Sequence, residues 1–246
     1  MFVTHLVRHA ARFAALAAIV GTLTGCGAIV NGPTLSQVRI IATSPDAPAL
    51  DIYRSSHVLA YNLGFGTVTS YVTVPAGTYT IAARPAGTRQ LLVNSRSTFA
   101  TPGQYTVLIG DTAANLRQLT LKDQSQPAPP GQTALRFIDQ ATRLTALDLY
   151  LVPPGQKLAA VTPVVSNLTF GANTGYLNLP SGTYTLVLVP TGTIPVSTTV
   201  ATYNGAQITY SSGSAHTIIL IDQPPSAAPG LQVITAADVD SPTDTN

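Results

Sequence analysis

The chain has 246 residues, 12 basic and 10 acidic, a formal charge of +2, and only 9% charged side chains. Every acid is an aspartate and lysine occurs only at Lys122 and Lys157, a composition at odds with helical surfaces, which favour Glu, Lys and Gln. Dispersed, nearly balanced charges exclude the electrostatic footprint of a nucleic-acid-binding protein and the polybasic patch of an anionic-lipid reader.

The first predicted element is a targeting segment. Arg8 and Arg12 precede a short apolar stretch, Phe13 to Thr22, which ends in Leu23-Thr24-Gly25-Cys26. A basic start, an apolar run too short to span a bilayer and small residues before a cleavage point make a secretory signal. Leu23, Thr24, Gly25 and Cys26 resemble the bacterial lipobox. That resemblance implies cleavage after residue 25, a diacylglyceryl thioether on Cys26 and a membrane anchor, with Gly27 favouring the outer over the inner membrane. Two or three acyl chains remove the marginality of binding by one. Removing residues 1–25 leaves 221 residues with ten basic and ten acidic side chains. Cys26 is the sole cysteine, so disulfides are excluded and the fold must rest on core packing.

After a tether (26–36) that reaches about 35 Å when stretched, the remainder divides into residues 37–123, a Pro-rich linker 124–133, residues 134–240 and a polar tail 241–246. Residues 37–123 read as seven or eight short strands. Gln37 to Thr43 is apolar and β-branched, Val68 to Val74 alternates, and Pro75-Ala76-Gly77 supplies turn chemistry. The pattern then repeats. Val38-Arg39-Ile40 and Leu50-Asp51-Ile52-Tyr53 recur 97 residues later as Leu135-Arg136-Phe137 and Leu147-Asp148-Leu149-Tyr150. Pro75-Ala76-Gly77-Thr78-Tyr79-Thr80 recurs 105 residues later as Pro180-Ser181-Gly182-Thr183-Tyr184-Thr185, so the second copy gains eight residues around Val152 to Val161. The expectation is an all-β protein of two tandem antiparallel immunoglobulin-like β-sandwich domains, the alternative being small barrels.

Val38-Arg39-Ile40-Ile41, Ser44-Pro45-Asp46-Ala47-Pro48-Ala49-Leu50-Asp51-Ile52-Tyr53 and Val74-Pro75-Ala76-Gly77-Thr78-Tyr79 resemble the domain of unknown function 4397 family. The second copy departs from that pattern, with Ala141-Thr142-Arg143-Leu144-Thr145 in place of the Ser-Pro-Asp-Ala-Pro block. The resemblance implies tandem sandwiches in exported proteins and supplies no activity.

Three constellations carry candidate chemistry. Asp46, Asp51 and Asp111 are oxygen donors of the type calcium takes, although no recognised loop frames them; the plainer reading is turn and backbone bonds, repeated at Asp148. Ser214, His216 and Asp222 have the residue types of a hydrolase triad without a nucleophile motif, and His57 has no evident partner, so no catalysis and no cofactor is expected. Tyr53, Tyr79, Tyr150 and Tyr184 recur in both copies and read as core or corner residues. Tyr61, Tyr71, Tyr203 and Tyr210 are the candidates to face a ligand. The expected function is a non-enzymatic, lipid-anchored envelope module that binds a protein or serves structurally. The alternative is a carbohydrate-binding protein using exposed tyrosines, and third a hydrolase.

Overall fold

The computed structural model describes residues 35–227 and 230–239. The tail and the segment containing Leu23, Thr24, Gly25 and Cys26 lie outside the described residues. The first copy contributes β1 (Leu35–Ala42), β2 (Leu50–Arg54), β3 (His57–Leu63), β4 (Val72–Pro75), β5 (Gly77–Pro85), β6 (Val93–Phe99), β7 (Gln104–Gly110) and β8 (Arg117–Asp123). The second contributes β9 (Gln132–Asp139), β10 (Leu147–Val152), β11 (Val165–Leu168), β12 (Asn173–Pro180), β13 (Gly182–Pro190), β14 (Tyr203–Tyr210), β15 (Ala215–Asp222) and β16 (Leu231–Val239).

Each copy is a two-sheet sandwich. In the first, an outer sheet ordered β3-β2-β5-β6 covers an inner sheet ordered β4-β1-β7-β8. In the second, the outer sheet is β11-β10-β13-β14 and the inner one β12-β9-β15-β16. Pairing is antiparallel as expected, with one addition per copy: β1 runs parallel to β7 and β9 parallel to β15. The first strand of each copy thus lies between the fourth strand, antiparallel to it, and the seventh, a position that a pure meander does not provide.

Alternation assigns the layers. Val38, Ile40, Val107 and Ile109 face the first sandwich's core with Ile52, Ile81 and Phe99, while Leu135, Phe137, Ile218 and Leu220 face the second core with Leu149 and Leu188. The opposite faces of the same strands are also apolar. Ile41 and Leu108 from one inner sheet meet Ile138, Ile219, Ile221 and Ala236 from the other in a third buried cluster. The inner sheets therefore pack face to face, and the molecule is four β-layers deep. The linker is tied down in this arrangement: Ala128 is buried against Ala134 and Ala215, and its amide donates to the Gly213 carbonyl at 3.0 Å.

Candidate functional site

The inner-sheet contact carries a polar centre that repeats across the two copies. Arg39 on β1 donates from Nε to Thr106 Oγ1 at 2.8 Å, from NH1 to the Ala237 carbonyl at 2.8 Å, and from NH2 to the Asp238 carboxylate. Arg136 on β9 does the same in reverse, donating from Nε to Thr217 Oγ1 at 3.1 Å, to the Lys122 carbonyl at 3.1 Å, and to Asp123 Oδ1 at 2.6 Å. Each aspartate is also held by its own copy: Asp123 accepts from Thr106 and Tyr71, Asp238 from Thr217 and Tyr176. Tyr71 and Tyr176 lie beneath the guanidinium carbons of Arg39 and Arg136, at 4.9 and 4.7 Å from the ring centroids. Both arginines are 2% exposed, so these are desolvated ion pairs with nearly every donor and acceptor used. Burial raises the Asp238 carboxyl against the opposing pull of Arg39, and burial followed by the charge of Asp123 raises the Tyr71 hydroxyl. The hydroxyls therefore stay protonated as donors. The arrangement fixes one copy on the other and leaves no group free for proton transfer.

Tyr71, expected to face a ligand, is consumed there. Tyr210 is 2% exposed, packed edge-on against the His216 ring at 5.4 Å, and burial pushes its hydroxyl up to about 12. Of the four candidate tyrosines, Tyr61 stands 68% exposed on β3 and Tyr203 is half-buried on β14. They belong to different copies and do not line up on one face.

The aspartates do not converge. Asp51 accepts from the Asn62 amide at 2.9 Å and the Gly87 amide at 3.0 Å, which hold its carboxyl below the ordinary value. Asp148 makes the same clasp to the amides of Asn167 and Gly192. Asp46 accepts from Ser44 and from the Ala113 amide, and Asp111 pairs with Arg117 at 3.1 Å. Among the described residues no three metal-ligating side chains come together. The hydrolase constellation fails on strand geometry: Ser214 precedes β15 and Asp222 ends it, roughly 27 Å apart at the rise of a strand. Ser214 Oγ donates to the Ser211 carbonyl at 2.7 Å, and Asp222 accepts from Thr142.

A groove opens on the second sandwich. The eight added residues lengthen the β10–β11 connection to residues 153–164, with a 3₁₀ turn over Leu158–Ala160. Leu158, Val161 and Ala201 pack on Tyr150, Val152, Val187 and Val189 of the outer sheet. Between this connection and the β13–β14 loop lies a cavity of about 530 Å³, with Val152, Leu158, Val187 and Val200 as its apolar lining and Gln156, Thr185, Asn204 and Gln207 as its polar one. In the same loop Val200, one of the lining residues, is 88% exposed, and Ile194 and Val196 are exposed at 84% and 54%. The insertion was legible in the sequence without a role for its residues; the uncharged stretch from Ile194 to Val200, with Ile194, Val196 and Val200 as its apolar positions, was the available signal.

The chain is similar to the crystal structure of CBMbc, family CBM26, from Eubacterium rectale Amy13K in complex with maltoheptaose, at 10% identity, covering 85% of this chain and 98% of that one with a TM-score of 0.25. A likeness at that score carries no argument about what this protein binds. No curated protein matches the chain. The family model described as a domain of unknown function (DUF4397) matches residues 36–150 and 153–246, and the chain belongs to that family.

Proposed function

We propose that this protein is a non-catalytic, lipid-anchored component of the bacterial cell envelope that holds a partner protein in the groove of its second sandwich. The anchor rests on Leu23-Thr24-Gly25-Cys26. The binding role rests on one observation: a roomy groove lined by Val200, itself 88% exposed, beside the side-chain amides of Asn204 and Gln207, with Ile194 and Val196 exposed in the same loop. An apolar patch rimmed by polar groups on a well-packed domain is the usual mark of a protein-binding surface. The braced inner sheets support it, since they present the groove on a body with no internal hinge to order on binding.

The test compares the full chain with an Ile194→Asp/Val200→Asp variant in cross-linked capture from solubilised envelopes. Both side chains are almost fully exposed, so melting should stay unchanged while capture of a defined partner is lost. Equal capture by both proteins would sink the groove reading, and capture of envelope glycans alone would promote the carbohydrate alternative. The anchor has its own test: Cys26→Ser should move the protein out of the membrane fraction or leave the precursor uncleaved.

A further inference from the structure

The charges that look dispersed along the chain are not dispersed in space. Residues 35–123 hold seven basic against four acidic side chains, and residues 132–239 hold three against four. Ion pairs then remove Arg39, Arg117, Arg136 and Arg143. Four arginines make no ion pair among the described residues: three lie on strands of the outer sheet of the first sandwich and the fourth in a loop joining two of those strands. Arg54 ends β2, Arg84 lies on β5, Arg89 in the β5–β6 loop and Arg96 on β6.

Register places two of them on the solvent face. Ala82 lies opposite Tyr53 and Asn94, Thr80 lies opposite Arg96, and the core takes the alternate residues Ile81 and Ala83. Arg84 and Arg96 therefore share the outward face with Thr80 and Tyr53. The Arg84 guanidinium lies 4.8 Å from the Tyr53 ring centroid, and its Nε has no acceptor among the described residues. Arg89 and Arg96 are exposed, and Arg54 lies on Tyr79 at the other end of the sheet, at 4.5 Å. One carboxylate shares the face. Asp51 lies directly across from Arg84, but both its oxygens are engaged by backbone amides.

We propose that this outer face binds an anionic polysaccharide, its carboxylate or phosphate groups taken by Arg84, Arg89 and Arg96. Guanidinium groups match either anion with two parallel hydrogen bonds, and stacking on tyrosine fixes Arg84 before a ligand arrives. A sheet face is flat and extended, which suits a polymer strand better than a small ion. The hydroxyls of Thr78 and Thr98 sit on exposed cross-strand positions of the same sheet and suit a hydroxyl-rich chain. Exposed aliphatic groups, which a bilayer surface would call for, are not what the register puts between Arg84 and Arg96: those positions are Ala82, Thr80 and Asn94. The surface lies on the other sandwich from the groove and does not depend on it.

The experiment passes the full chain over immobilised polygalacturonate, neutral dextran and phosphatidylglycerol vesicles. Retention on polygalacturonate at low ionic strength, released by about 0.5 M salt, is expected. An Arg89→Gln/Arg96→Gln variant, which touches only exposed side chains, should melt like the parent and bind about three- to tenfold more weakly. The corresponding lysine variant should keep most of the binding, and Arg117→Gln, an exposed change on the inner sheet, should alter it less than about twofold. No retention on polygalacturonate, equal retention on dextran or vesicles, or equal weakening by Arg117→Gln would each overturn the proposal. Partner capture through the groove by the Arg89→Gln/Arg96→Gln variant would leave that reading standing whichever way this one falls.

Discussion

The two outer sheets of this protein are the same hairpins put to opposite uses. Pro75 to Thr80 and Pro180 to Thr185 make the same turn, and Asp51 and Asp148 make the same clasp. Yet the four unpaired arginines of the first copy become Leu151, Val189, Ile194 and Gln207 in the second when turns and register are superposed. The first sheet leaves its face cationic and open. The second is apolar and must cover itself, which is what its eight added residues do. The inner sheets, by contrast, repeat Arg, Thr, Asp and Tyr side by side, because each copy can bury its arginine only if the other supplies the carboxylate. Constraint lies in the middle of the stack, and the outer layers are where the copies differ.

That contrast can be broken most severely at its centre. Arg136→Ala leaves Asp123 buried without its cation and should destabilise by about 3–5 kcal/mol, with Arg39→Ala close to it; urea melts of the two read it directly. An outer-sheet change that only one copy can feel comes next. Leu158→Ala uncovers part of Tyr150 and Val187 and should cost about 2 kcal/mol by the same measurement, whereas the first copy has only Ser55 and Ser56 at that connection and no equivalent to lose.

Asp139 separates the copies in another way, since its counterpart by register is Ala42. It is fully buried, one carboxylate oxygen accepts from the Ala141 amide, and the other has no partner among the described residues. Burial, with Asp222 adding to it, raises the carboxyl to about 6. The fold thus favours the neutral form: this group's contribution is complete below its unfolded value near 4 and is lost as pH rises through about 6. Asp139→Asn imitates the neutral form and should raise stability at pH 7.5 by about 1–2 kcal/mol while changing little at pH 4. An unchanged pH profile of melting in the variant would remove Asp139 from the account. The smallest difference lies between Tyr184, whose hydroxyl donates to the Pro180 carbonyl at 3.0 Å, and Tyr79, which makes no such bond. Tyr184→Phe should cost about 0.5–1 kcal/mol and Tyr79→Phe less, a gap that paired melts resolve.

Turn chemistry and alternation made the sandwiches and the duplication legible before any coordinates, and the structural role of Asp51 and Asp148 with them. The four-layer stack was also written in the chain. Val107 to Ile109 and Ile218 to Ile221 are continuous apolar runs, which strands show when both faces are buried, and in Val38 to Ala42 and Ala134 to Ile138 only Arg39 and Arg136 interrupt the same pattern. Tyr71 was mistaken for a free ring because Tyr176, its copy 105 residues on, went unmatched. The basic face was hidden for a different reason: Arg84, Arg89 and Arg96 are close in sequence, but only the register of β5 against β6 shows that Arg84 and Arg96 share the outward face.

The bond between Arg39 and Asp238 joins the first strand to the last, across 199 positions. A load applied at Leu35 along β1 meets the β4 and β7 ladders in shear, with all their hydrogen bonds sharing the force at once. Through Arg39 the same load passes to β16 at the far end of the chain. Tension at one terminus is therefore carried by both sandwiches together, and the chain resists being drawn out strand by strand.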